Sequence, residues 1–264
     1  MKITVFTSNQ PRHISLINRL ASISDSIYAI MECNTIFPGL VQDFFKKSDV
    51  MKSYFSNVML AEKKLFGDLS FMSKNVRSLV IKSGDLNYVK REQLTDALDS
   101  DVYVVFGASY IKGWLIDYLI EHDAINIHMG ISPYYRGSSC NFWALYDRKP
   151  EYVGATIHIL SKGLDSGPML YHALPRLNND NPFEFTMRAV EAAQMSLVTR
   201  ISNKEIRAFS QQQQNKADAI RYTKNADFTD EVASVFLKRN DDNKRLTELL
   251  DAAEPPKLLY PFYA

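Results

Sequence analysis

Cysteine is scarce: Cys33 and Cys140 are the only two in 264 residues, too few and too far apart for a disulfide framework or a zinc knuckle. Both read as reduced thiols of a cytoplasmic protein. Charge of one sign is also missing, because 31 Lys and Arg face 30 Asp and Glu for a net +1, with the two signs interspersed. No global field therefore argues for nucleic acid or an anionic membrane as partner. No segment reaches the roughly 18 unbroken apolar residues of a membrane span. The opening Met1-Lys2-Ile3-Thr4-Val5-Phe6-Thr7 is a short strand pattern and not a signal peptide. No G-x-G-x-x-G follows that strand, which disfavours a nicotinamide-dependent enzyme. The five histidines are scattered and form no H-E-x-x-H pair, so no metal is expected.

What is present is the 46% apolar content of an ordinary soluble globular protein, in a chain long enough for a substantial core. Strand and helix patterns alternate through the first two thirds. Strands are expected at residues 3–6, 26–31, 78–81, 102–106 and 124–128, the run Val102–Phe106 being apolar enough to be buried on both faces. Helices are expected at 13–23, from about Val41 to Phe66 with Phe44, Phe45, Tyr54 and Phe55 on its apolar side, and at 91–98 and 114–120. Later come a short helix at 141–146, strands at 152–160 and 169–172, and a long helix that Pro182 opens. This rhythm predicts an α/β fold with a doubly wound, mostly parallel sheet. Gln211–Gln214 read as an exposed loop where the composition changes. The expected organisation is a catalytic domain over 1–210 and a small C-terminal extension over 211–264 packed on it. The aromatic end of that extension fits either self-packing or a subunit contact, so a homodimer stays open.

The segment richest in chemistry runs Asn126-Ile127-His128-Met129-Gly130-Ile131-Ser132-Pro133-Tyr134-Tyr135-Arg136-Gly137. On a strand, residues i and i+2 face the same way. Asn126 and His128 therefore project together at the strand's carboxyl end, where parallel sheets hold their sites. A neutral donor beside a group that titrates near neutrality suits acyl transfer: one steadies an oxyanion, the other moves a proton. The imidazole then needs a carboxylate, and Asp165, on a loop flanked by Gly163 and Gly167, is the best candidate. Taken alone, Asp165 reads as a turn residue and His128 as a hydrogen-bonded strand-end histidine.

The run Asn126-x-His128-x-Gly-Ile-Ser-Pro133-x-Tyr135-Arg136-Gly137, with Gly163-Leu164-Asp165-Ser166-Gly167 after it, resembles the folate-dependent formyltransferases. That family has a Rossmann-like fold and includes glycinamide ribonucleotide, methionyl-tRNA and sugar N-formyltransferases. Ser132 stands where the family usually has an aliphatic residue. The resemblance implies formyl transfer from 10-formyltetrahydrofolate to an amine. Asn126 would then hydrogen-bond the formyl oxygen, His128 would stabilise its charge and take part in proton transfer, and Asp165 would pair with His128 and relay the amine's proton. The pterin would lie against Phe106, Gly107 and Ala108 and against Gly163 and Leu164, although Phe106 fits simple core packing equally well. Tyr135 and Arg136 would hold the corner, and Trp143 would pack in the core.

The acceptor follows by comparison within the family. Ser8-Asn9-Gln10-Pro11-Arg12-His13 replaces a glycine-rich phosphate loop, and residues 211–264 carry mixed charges in place of a basic tRNA-binding barrel. The sequence then resembles the branch acting on nucleotide-linked amino-dideoxy sugars of surface polysaccharide and O-antigen. Arg12 and His13 could meet the diphosphate, or simply form an exposed helix start, and Tyr110 could stack on the base. The alternatives are another amine acceptor such as methionyl-tRNA, or a folate-binding relative without turnover, against which an intact Asn126, His128 and Asp165 argue.

Overall fold

The computed structural model describes residues 1–33, 47–68, 70–239 and 241–264. Its centre is an eight-stranded sheet. β1 (Lys2–Ser8), β2 (Ser26–Cys33), β3 (Val76–Lys82), β4 (Val102–Phe106) and β5 (Ile125–His128) run parallel to their sheet neighbours among these five. β7 (Ala155–Ile159) and β8 (Met169–Leu174) then extend the sheet antiparallel, and β10 (Phe262–Tyr263) closes it parallel to β8. β6 (Tyr135–Gly137) lies outside this sheet and pairs with β9 (Arg221–Thr223).

The sheet order is β10-β8-β7-β5-β4-β1-β2-β3. From β1 the chain winds outward to β3, then returns to the other side of β1 to lay down β4 and β5. The strand order reverses between β1 and β4, so their carboxyl ends open a crevice beside β5.

Period-2 alternation sorts the side chains into two layers. Ile3, Val5, Ile125, Ile127 and Ile157 bury against α1 (Pro11–Ala21) and α6 (Pro182–Ser202). Phe6, Tyr103 and Val105 bury on the opposite face against Leu115 and Leu119 of α4 (Gly113–Glu121). Because Ile125 and Ile127 turn to the first layer, Asn126 and His128 are left to face the second at the strand's end.

Two expectations change, and a third gains a detail. The helix expected from Val41 begins, within the described residues, at Asp49: α2 (Asp49–Phe66) is capped by Ser48, whose hydroxyl accepts from Met51 N–H at 3.1 Å. Residues 41–46, with Phe44 and Phe45, lie outside the described residues. The strand expected from Tyr152 starts at Ala155, because Pro150–Tyr152 form a 3₁₀ turn whose carbonyl at Pro150 takes Val153 N–H at 3.0 Å. The glutamine run is exposed at Gln211, Gln212 and Gln213, as expected, and is tied to the sheet at one point. Gln212 exchanges both backbone hydrogen bonds with Met169, at 2.8 and 2.9 Å.

The residues beyond 211 cover the corner that follows β5. α3 (Thr95–Leu98) and α5 (Cys140–Tyr146) precede this part of the chain, and α7 (Asp230–Arg239) and α8 (Asn243–Ala252) belong to it. Phe236 and Leu246 enter one cluster with Phe142, Trp143 and Phe185. Arg221 forks onto Asp147 at 2.6 and 2.8 Å, and the same carboxylate accepts Tyr135 Oη–H at 3.1 Å. His172 ties the aromatic end to the turn after β5: Nε2–H donates to the Ser132 carbonyl at 2.9 Å and Nδ1 accepts from Leu259 N–H at 2.9 Å. An accepting Nδ1 requires the neutral ring, and burial pushes its pKa down to about 4. Among the described residues no helix is long and apolar enough to cross a membrane.

Candidate active site

Asn126, His128 and Asp165 converge although they come from a strand and a distant loop. His128 Nδ1 lies 3.2 Å from Asp165 Oδ2, and Asn126 donates to Asp165 Oδ1 at 3.1 Å. Asn126 and His128 are buried, and Asp165 is three-quarters covered, with 23% of its side chain exposed. The turn leaving β5 is fixed by Thr156, whose hydroxyl accepts from Ser132 N–H at 2.8 Å and donates to the Gly130 carbonyl at 2.6 Å.

A fourth member comes from β7. His158 stands opposite Asn126 in the antiparallel register, and its Nδ1–H donates to the Ile159 carbonyl at 2.8 Å. In the neutral ring that leaves Nε2 as an acceptor, and Asn126 donates its second N–H there at 2.9 Å. Both amide protons are thus committed within the site. To reach an incoming oxygen, Asn126 gives up one of them, and the 3.1 Å bond to Asp165 is the longer.

Burial alone would raise the Asp165 carboxyl, but the charge of His128 and its hydrogen bond hold it well below the usual carboxylate range. Burial likewise opposes charge on His128, yet the facing Asp165, with Cys140 beside the ring, holds its pKa well above the ordinary imidazole value. The two form a buried ion pair, a carboxylate facing an imidazolium. Such a pair can place positive charge against a developing oxyanion and can pass a proton between its members.

Residues 74–201, which include all of these groups, match the family described as Formyl transferase. This segment is similar to the formyl transferase domain. Methionyl-tRNA formyltransferase of Thermosynechococcus vestitus is 31% identical over 124 residues, 47% of this chain and 37% of that protein. The chain therefore spans well under half the length of the curated relative it matches. Among solved structures, phosphoribosylglycinamide formyltransferase of Anaplasma phagocytophilum superposes with TM-score 0.50 at 19% identity, covering 77% of this chain and 88% of its own. The N-formyltransferase of Helicobacter canadensis, solved with folinic acid and dTDP-3-aminofucose, gives TM-score 0.52 at 14% identity, over 87% and 73% of the chains. These superpositions carry the fold.

Within residues 74–201, a cleft of about 100 Å³ opens beside the ion pair. Val105, Ile111, Ile116 and Leu160 give it apolar walls, while Asn126 and Asp165 stand at its polar end. Of the residues expected to hold a pterin, Ala108, Gly163 and Leu164 line this cleft. Phe106 is buried in the core against the His13 ring, at 4.9 Å between centroids, and Gly107 also abuts that ring. An apolar slot with a polar end suits a flat heterocycle whose edge carries hydrogen-bonding groups.

The residues expected at the acceptor fare differently. Arg12 is committed to Glu62 at 2.8 Å, and its carbonyl accepts from buried Gln194 at 2.6 Å. His13 is buried, and burial with the neighbouring Arg12 charge pushes its pKa well below the ordinary value. A neutral enclosed ring and a paired guanidinium are poorly placed to meet a diphosphate. Tyr110 is half exposed on the cleft wall, and its hydroxyl donates to the Lys162 carbonyl.

Sequence reasoning missed three supporting residues. His158 shares strand alternation with Thr156, but only the antiparallel register sets it against Asn126. Glu32, buried at the end of β2, accepts from Ser109 N–H at 2.6 Å and from Ser109 Oγ–H and Gly84 N–H at 2.8 Å each, fixing the loop after β4. An acidic residue ending an apolar strand was the available signal. Gln214 donates to the carbonyls of Asp165 and Gly167, at 2.8 and 2.9 Å, and so holds the loop that carries the carboxylate. Gln214→Leu should lower turnover roughly tenfold, because a supporting change that displaces a catalytic group by about 1 Å can cost up to about 10²-fold. Its melting temperature should stay within about 6 °C of wild type, as for loss of two hydrogen bonds of about 1 kcal/mol each. Unchanged kinetics in the folded variant would show that the loop needs no such clip.

Proposed function

We propose that the protein is an N-formyltransferase that moves the formyl group of 10-formyltetrahydrofolate to the amine of a nucleotide-linked amino-dideoxy sugar. The observation that carries the reading is the Asn126–His128–Asp165 cluster at the polar end of a cleft at the switch point of the sheet. 10-Formyltetrahydrofolate supplies an electrophilic carbonyl carbon. His128 sets its positive charge beside the carbonyl oxygen as that oxygen gains electrons. Asn126 turns one amide N–H from Asp165 toward the same oxygen. The attacking amine must be uncharged, and the Asp165–His128 pair takes up the proton it loses and returns one to the departing nitrogen. The apolar walls formed by Val105, Ile111 and Ile116 keep water from competing with the amine.

The sugar acceptor is favoured by the near-neutral charge balance and by the fold shared with an enzyme solved with dTDP-3-aminofucose. The cytoplasm, where nucleotide sugars and folates meet, is the proposed location. The test supplies 10-formyltetrahydrofolate with a panel of TDP-, GDP- and UDP-linked amino sugars, and separately with methionyl-tRNA. Tetrahydrofolate release with a one-formyl mass gain on one sugar is the expected result. Formylation of methionyl-tRNA alone would overturn the acceptor, and release with no amine at all would overturn the reaction.

A further inference from the structure

The ion pair has a neighbour that formyl transfer as derived above does not use. Cys140, the first residue of α5, is buried, and its Sγ lies 3.5 Å from His128 Nε2, the nitrogen turned away from Asp165. The same sulfur lies 3.4 Å from the Gly137 carbonyl, an acceptor only. We infer that Cys140 is a positioning residue for His128, its sulfur accepting the Nε2–H of the charged imidazole and so fixing the ring's orientation and its hold on that proton.

The hydrogen-bond inventory supports this assignment. With His128 doubly protonated, Nδ1–H donates to Asp165, Nε2–H to Sγ, and the thiol S–H to the Gly137 carbonyl, so every group has a partner. With His128 neutral and Nδ1–H kept on Asp165, the single S–H must choose between bare Nε2 and the Gly137 carbonyl. One acceptor is then left without a donor in a dry setting, which costs free energy. Cys140 therefore favours the imidazolium. The titratable groups facing this ring are Asp165 from the loop, Cys140 from α5, and His158 of β7, which reaches the same carboxylate at 3.9 Å.

The backbone is cut to allow the approach. A Cβ built on Gly130 would stand 2.4 Å from Cys140 Cβ and 2.9 Å from His128 Nε2. Only a residue without a side chain leaves room for sulfur and imidazole to meet there. Ser139, with φ of +56°, then turns the chain so that Cys140 opens α5 pointing back at the ring.

The proposal refines the formyl-transfer reading, but its test does not depend on it. The His128 ring would be titrated by NMR with ¹⁵N-histidine label in wild type, Cys140→Ser and Cys140→Ala. Losing a bond to a charged group should lower the His128 pKa by about one pH unit in Cys140→Ala. Serine, which offers an acceptor and a donor in the same place, should restore most of the difference. With an acceptor amine in hand, the alkaline limb of kcat should move down in parallel. A titration unchanged in folded Cys140→Ala would overturn the assignment. So would a wild-type spectrum at neutral pH in which Nε2 carries the shift of a bare nitrogen, a readout that needs no variant to fold. Failure of every amine assay with the NMR shifts as expected would sink the formyl-transfer reading and leave the Cys140 role standing.

Discussion

Asp165→Asn should cut turnover by roughly 10²–10⁴-fold while changing folate affinity only a few-fold, the scale on which general acid–base partners act. The backbone does not stand in the way, because Asp165 has φ of +44° and asparagine tolerates that left-handed conformation as well as aspartate does. The defect is chemical. The carboxylate accepts from Asn126 on one oxygen and faces His128 Nδ1 with the other, whereas an amide has one acceptor and one donor end. Whichever way the substituted amide turns, it opposes a donor with a donor, or forces His128 to surrender the Nδ1 proton. Without the carboxylate charge, burial dominates His128 and drives its pKa down, so the imidazolium is lost at neutral pH. Steady-state kinetics beside isothermal titration of the folate separate the two effects. A variant keeping half its turnover, or one losing affinity in proportion to rate, would refute the role given to Asp165.

The sequence made the winding legible because alternation of apolar residues reports which face a side chain takes. Asn126 and His128 could be put together at a strand end, with Ile125 and Ile127 beneath them, from periodicity alone. Periodicity does not report which strand stands opposite. The antiparallel turn of β7 against β5 is what sets His158 beside Asn126, and nothing in Gly154-Ala155-Thr156-Ile157-His158 distinguishes that pairing from a parallel one. Residues far apart in the chain stayed hidden for the same reason. Gln214 lies 49 positions from Asp165, and its polar run looked like solvent-facing loop. Arg12 and His13 show the converse error: charge near a strand's carboxyl end suggested an anion site, but Glu62 neutralises one and the core encloses the other. Composition shows that a charge exists, and only packing shows what it already touches.

Gly137→Ala should be the most damaging small substitution away from the ion pair, lowering stability by about 3 kcal/mol and the melting temperature by about 10 °C. A Cβ there would sit 1.9 Å from the Thr223 carbonyl oxygen and 3.0 Å from its carbon, on a residue whose φ is +89°. Neither neighbour can give, since both are backbone of β9. The strand must back away, and with it go the Ser138 N–H bond to the Thr223 carbonyl at 3.0 Å and the Thr223 hydroxyl bond to Ser138 at 2.7 Å. Gly84→Ala provides the control, because Gly84 has φ of +92° and nothing within 4 Å of the added methyl. It should cost only the conformational part, roughly 1–2 kcal/mol. The difference between the two melting temperatures then isolates the contact of the corner with residues 221–223. Limited trypsin digestion adds a local reading, with Lys216 and Lys224 expected to be cut sooner in Gly137→Ala alone. Equal losses in both variants would mean that β9 is not a fixed wall. If the loss is unequal, turnover should fall too, because Gly137 receives the Cys140 thiol and leads directly into the helix that sets Cys140 against His128.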